Sequence, residues 1–191
     1  MERLHVKRYS KKLFESNQLS FESRSKVLEA LGGTFQCLKK HSFYERGDYI
    51  ELETEYIENK AWSTGIHLLV PLATLAHELN QINISIPHGD IVKKNVLWNG
   101  SNFVLVDWEP LLEYGAEPAI FFKSTKPYIS RLDIKNSKIT SNTDKIALFY
   151  FCRKQLHGWF PTELTELIKL ENDLISREFD EIPEFALSFT P

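Results

Sequence analysis

Cysteine is scarce in this chain, basic charge is not in excess, and no apolar run is long. The two cysteines, Cys37 and Cys152, lie far apart in apolar surroundings. Disulfide-dependent domains use more cysteine than this, so the pair reads as buried thiols, which fits a reducing cytoplasm. No Cys/His cluster has the spacing of metal ligands, which excludes a structural zinc site. The net charge is −3, and a chain so balanced carries no global basic field for nucleic acid. No stretch is long enough to span a bilayer, and Met1-Glu2-Arg3-Leu4-His5 lacks the apolar run of a signal peptide. Internal repeats and low-complexity segments are missing too. What remains is apolar enough, at 42% of 191 residues, to bury the core of one domain or of two small lobes sharing a cleft.

The most informative stretch is residues 88–109. Val96-Leu97-Trp98 and Phe103-Val104-Leu105-Val106 read as two short strands, being β-branched and aromatic. Asn99-Gly100-Ser101 between them is hairpin-turn chemistry, because Asn and Gly tolerate positive φ. The hairpin brings Asn95 and Asp107 to one end, with Asp90 on the loop leading in. Three oxygen-bearing side chains then converge where a hard cation and a hydroxyl could meet. That division suits phosphoryl transfer: Mg²⁺ takes a few oxygen ligands and shares its shell with phosphates, while one carboxylate stays off the metal and orients the hydroxyl.

The pattern His88-x-Asp90-x-x-x-x-Asn95, then a hairpin, then Asp107, resembles the catalytic and metal-binding loops of the protein-kinase-like superfamily. His88-Gly89-Asp90 and Asp107-Trp108-Glu109 are more similar to the aminoglycoside and choline phosphotransferase branch than to protein kinases. The resemblance implies an α+β chain with a reduced bilobal kinase-like fold. Residues 1–58 would form a truncated N-lobe, a small antiparallel sheet plus one helix, and residues 59–191 a mainly helical C-lobe. It implies ATP and Mg²⁺ as cofactors. Asp90 would be the catalytic carboxylate, Asn95 and Asp107 would hold the metal, and Leu97 would floor the adenine site.

The rest of the chain is read around that core. Leu4 to Tyr9 reads as a strand, and the resemblance makes Lys7 the position that contacts phosphates, with Lys11 and Lys12 as competitors. Ser20 to Leu31 reads as a helix capped by Ser20 and ended by Gly32-Gly33. In the resembled fold this helix supplies a glutamate to pair with the strand lysine. Its apolar phase puts that glutamate near Arg24, so Glu22 or Glu29 substitutes or the pair is absent. Thr34 to Tyr44 and Tyr49 to Ile57 read as two further strands, the second alternating apolar and polar. The end of the second, Glu55-Tyr56-Ile57, resembles the hinge between kinase lobes, where backbone near Tyr56 and Ile57 would meet the adenine edge. Ile66 to Ile82 has helical apolar spacing with Pro71 in the first turn. Pro110 to Ser141 reads as a long connection, and Lys123 to Ser130 within it resembles the end of a protein-kinase activation segment. Thr143 to Phe151 opens an apolar helix with Thr143 or Asp144 as N-cap. The resemblance gives Asp144 a second task, tying down the catalytic-loop backbone. Thr162 to Arg177 reads as a last amphipathic helix, and Glu178 to Pro191 as an extended strap.

Before Lys7 there is no room for the glycine-rich hairpin that covers the triphosphate in most of the family. The resemblance therefore implies that the site is closed by a partner protein, by a second copy of the chain or by segment 110–141, and a partner that completes the N-lobe would also cover its sheet edge. The acceptor stays open between protein Ser/Thr and a sugar or other small hydroxyl compound. A second reading is a nucleotide-sensing or scaffolding pseudokinase.

Overall fold

The computed structural model describes residues 3–12, 35–38, 41–82, 88–107, 130–136, 140–157 and 164–189. The chain is a mixed α+β protein with small antiparallel sheets and, among the described residues, five helices. The expected helix over 20–31, with Glu22, Arg24 and Glu29, lies outside the described residues, as does the activation-like stretch 123–129.

Three strands make the first sheet: β1 (Leu4–Ser10), β2 (His41–Arg46) and β3 (Tyr49–Glu55), in the order β1-β3-β2, all antiparallel. Register pairs Lys7 with Leu52 and Phe43 with Leu52 across the two ladders. Strand alternation puts Ile50 and Leu52 of β3 on the buried face, with Lys7 of β1 beside them. The opposite face carries Arg8, Glu51 and Arg46. Arg8 Nε donates to Glu51 at 3.0 Å, and that hydrogen bond holds the guanidinium above its usual range. The β2–β3 turn is a two-residue hairpin in which Gly47 takes φ +59.

Of the expected strand from Thr34 to Tyr44, residues 34, 39 and 40 lie outside the described residues. Among the described residues the strand is His41–Arg46, Leu38 makes an isolated parallel bridge to Leu105, and residues 35–37 are not strand. The cause is Glu78, 6% exposed, whose carboxylate accepts the backbone N–H groups of Gln36 at 2.7 Å and Cys37 at 2.8 Å. Those amides are spent on a side chain and cannot join a ladder. Glu78→Gln should destabilise the fold by about 1–3 kcal/mol, because one buried N–H then faces an amide donor. Urea unfolding with a lowered midpoint at unchanged slope would register it.

The 3-10 turn Ile66–Leu68 leads into α1 (Leu69–Gln81), with Pro71 in its first turn where no intrahelical donor is lost. Leu72, Leu75, Ala76 and Leu79 form its buried stripe. The hairpin β4 (Val96–Trp98) and β5 (Phe103–Leu105) follows. Asn99 Oδ1 accepts the N–H groups of Ser101 and Asn102, which closes the turn. Phe103 is fully buried among Trp62, Trp98 and Phe151, with ring centroids 4.9–5.7 Å away, and so keys the hairpin to the helices.

The connection from 110 to 141 is interrupted by α2 (Arg131–Asn136). Ser130 caps it, accepting the Asp133 N–H at 3.2 Å while donating to buried Glu171 at 2.6 Å. The Asp133 carboxylate in turn accepts from the Thr140 amide and hydroxyl and from the Thr143 hydroxyl. These bonds clamp α2 to the start of α3 (Ser141–His157), which is buried nearly all round. The N-cap of α3 is Thr140, whose hydroxyl accepts the Asn142 N–H, and neither Thr143 nor Asp144 takes that place. Helix α4 (Leu164–Ile175) follows. The tail is helical, where an extended strap was expected: a 3-10 turn at Phe179–Glu181 runs into α5 (Ile182–Ser188). A reciprocal Glu178/Glu181 capping box starts it, and Pro183 falls in the first turn of α5. Phe179, Ile182 and Ala186 are buried against α1 and α3. Cys37 and Cys152 are both buried thiols, and burial pushes the Cys152 thiol up. No helix among the described residues is long and apolar enough to cross a membrane.

Candidate functional site

Between the first sheet and the β4–β5 hairpin lies a cavity of about 310 Å³, at the lower end of the range for small-molecule sites. Its wall brings together Lys7, Glu55, Tyr56, Ile57, Asn95, Leu97 and Asp107, from segments far apart in the chain. His5, Leu52, Thr54, Lys94 and Val106 complete it. Of the site residues expected from sequence, Asp90 alone does not line the wall. It sits behind Lys94 and Asn95 and is bonded to both.

The loop that carries Asp90 is held from several directions. Asp144, 2% exposed, accepts the N–H of His88 at 2.8 Å through Oδ2 and that of Gly89 at 2.7 Å through Oδ1. Gly89 takes φ +78, which an L side chain rarely adopts. The fully buried His88 ring bridges two segments. Its Nδ1 accepts the Asp90 N–H at 3.2 Å, so the Nε2 facing the Val106 carbonyl at 2.9 Å carries the proton and donates. His88 is thus a neutral strut between the loop and the end of β5. Successive turns follow, Val92 N–H to Asp90 O and Asn95 N–H to Val92 O, and they curl residues 90–95 back on themselves. That curl delivers Lys94 and Asn95 to Asp90.

Asp90 Oδ2 accepts from Asn95 Nδ2 at 2.9 Å and pairs with Lys94 Nζ at 3.0 Å. Its Oδ1 is shielded from solvent and has no hydrogen-bond partner among the described residues. Asn95 also donates to the Asp90 carbonyl at 2.9 Å, and its own carbonyl accepts the Val106 N–H at 2.8 Å. This last bond fixes Asn95 beside Asp107. Asp107 takes φ +64, a left-handed conformation that Asp tolerates better than most residues. Its carboxylate forms an ion pair with Lys7.

The expected hinge is anchored on both sides. The Tyr56 N–H donates to the Arg3 carbonyl at 3.0 Å, extending the β1–β3 ladder, so this amide is committed within the protein. The Arg3 guanidinium lies over the Tyr56 ring, 3.9 Å from its centroid. Further on, Asn59 Oδ1 accepts the Trp98 N–H, the Trp98 carbonyl accepts the Lys60 N–H, and Trp62 Nε1 donates to Gln155. The segment leaving β3 is thereby stitched along β4, and Ile57 and Leu97 both line the cavity.

Sequence reasoning missed Lys94, His5 and the strut role of His88. Only the Asp90-to-Lys94 spacing offered a local signal, and it means little outside a helix or tight turn. Among the described residues, no group of three or more His, Cys, Asp or Glu side chains is placed to hold a metal ion. The donors at the cavity suit a different kind of ligation. Asn95 spends its amide nitrogen on Asp90, which leaves its oxygen as the ligating atom, and Asp107 adds a carboxylate. One or two hard oxygen donors are what Mg²⁺ asks of a protein when phosphates supply the rest. No protein-family model matches the chain, and no curated protein matches it either.

Proposed function

We propose that this chain is an ATP- and Mg²⁺-dependent phosphotransferase with a reduced, bilobal, kinase-like arrangement, moving a γ-phosphoryl group to a hydroxyl acceptor. The observation that carries the reading is the convergence of Lys7, Asn95, Leu97 and Asp107 on one cavity, with Asp90 directly behind it. Leu97 and Leu52 give a base two apolar surfaces, and the Ile57 backbone is the candidate for its edge. Lys7 meets the phosphates. Asn95 and Asp107 would hold Mg²⁺, which when bound neutralises phosphate charge. Asp90 orients the acceptor hydroxyl through Oδ2, the oxygen on which Lys94 Nζ rests, and takes its proton.

The pseudokinase reading keeps one specific support: Lys7 and Asp107 pair with each other. Incubation with γ-labelled ATP and Mg²⁺ separates the two. Label reaching the protein itself, lysate proteins or small metabolites supports transfer and names the acceptor class. ATP binding with no labelled product from any of the three leaves a nucleotide sensor.

A further inference from the structure

Two lysines line the cavity, and each is paired with one of the two aspartates assigned above: Lys7 with Asp107, and Lys94 with Asp90. We propose that these pairs are exchanged on ligand binding, the lysines passing from the aspartates to the phosphates of a nucleotide, which makes Lys94 a second phosphate-binding residue. The inference rests on the phosphotransferase reading of the same cavity.

The exchange follows from charge and exposure. A lysine on Asp107 places a positive charge where a divalent cation would bind, so the cation alone meets repulsion. A lysine on Asp90 occupies the carboxylate that must receive a hydroxyl. A polyphosphate offers both lysines a denser set of oxygens in the same cavity, and its departure from water is offset by two cations already facing inward. The pairs are easy to part. Side-chain exposure is 33% and 39% in one and 67% and 20% in the other, and solvent-screened pairs of this kind are weak. Asn95 keeps its hydrogen bond to Asp90 throughout, so the carboxylate stays oriented when Lys94 leaves.

The test is a set of binding titrations on the full chain, with Mn²⁺ alone followed by its spin-resonance signal, and with ATP in the presence of Mn²⁺. Lys7→Met should tighten Mn²⁺ binding about three- to fivefold, the worth of one exposed pair. The same variant should weaken ATP about tenfold or more, the worth of a charge-assisted phosphate contact. Lys94→Met should likewise weaken ATP. Lys7→Arg keeps the charge and should hold Mn²⁺ binding near that of the parent. Mn²⁺ affinity unchanged or lowered in Lys7→Met, or ATP affinity unchanged in Lys94→Met, overturns the exchange while the phosphotransferase reading stands. A parent protein that binds no ATP overturns both.

Discussion

Asp90→Asn is expected to slow phosphoryl transfer by roughly 10²–10⁴-fold, the usual worth of a positioned general base, with nucleotide affinity nearly unchanged. The substitution keeps the shape of the side chain. Asn95 Nδ2 and Lys94 Nζ both donate to Oδ2, so the new amide must turn its oxygen toward them. Its NH₂ group then replaces Oδ1, the oxygen without a partner among the described residues. The amide oxygen left in place of Oδ2 carries no charge and is too weak a base to take a proton, so the hydroxyl proton has nowhere to go. Nucleotide binding is spared because Asp90 lies behind the cavity wall and not in it. If the lysine exchange operates, the variant should bind ATP slightly more tightly, since Lys94 has lost its ionic partner. Initial rates with γ-labelled ATP, set beside an ATP titration, decide the matter. Equal rates in variant and parent would remove Asp90 from the mechanism.

What could be read from the sequence was whatever the chain encodes locally. Asp90, Asn95 and Asp107 come together because a curled loop and a four-residue hairpin turn separate them, and turn chemistry is visible in Asn99-Gly100. The stripe of α1 was visible for the same reason, since its period is its signal. Contacts between a side chain and distant backbone carry no period. Glu78 falls on the buried side of α1 and reads as an anomaly there, yet its carboxylate cancels the expected strand at residues 36–37. The tail misled in another way. Its acidic-then-apolar order suggests an extended strap, but a first-turn proline and a glutamate capping box are helix starts once an apolar groove is there to receive Phe179 and Ile182. The pairing of Lys7 with Asp107 spans 100 residues, and no local pattern announces it. The paired state itself, in which the two residues expected to grip phosphate and metal grip each other, emerges only from the folded arrangement.

Asp144→Ala should loosen the loop of residues 88–95 far more than α3, the helix that bears Asp144. Helix α3 does not depend on Asp144 for its cap, since the Thr140 hydroxyl accepts the Asn142 N–H and Asp133 secures Thr140 and Thr143. Losing an N-terminal acidic group from such a helix costs about 0.3–1 kcal/mol. The loop loses much more. Two buried amides, those of His88 and Gly89, give up a shared carboxylate that meets them at 2.8 Å and 2.7 Å. Each unpaired buried donor costs about 1–3 kcal/mol, so the two together cost roughly 2–6 kcal/mol. The His88 ring still bridges the Asp90 amide and the Val106 carbonyl, so the loop should remain folded in outline but open more often. At about 1.4 kcal/mol per tenfold, amide exchange across residues 88–95 should quicken at least about twentyfold, while residues 145–152 of α3 hold near the parental rate. Transfer activity should fall with it, because Asp90 follows directly on the loosened amides. Asp144→Asn keeps one acceptor oxygen and should recover part of the protection. Faster exchange confined to the first turn of α3, with 88–95 unmoved, would reduce Asp144 to a helix-end charge and would leave His88 as the main restraint on the loop.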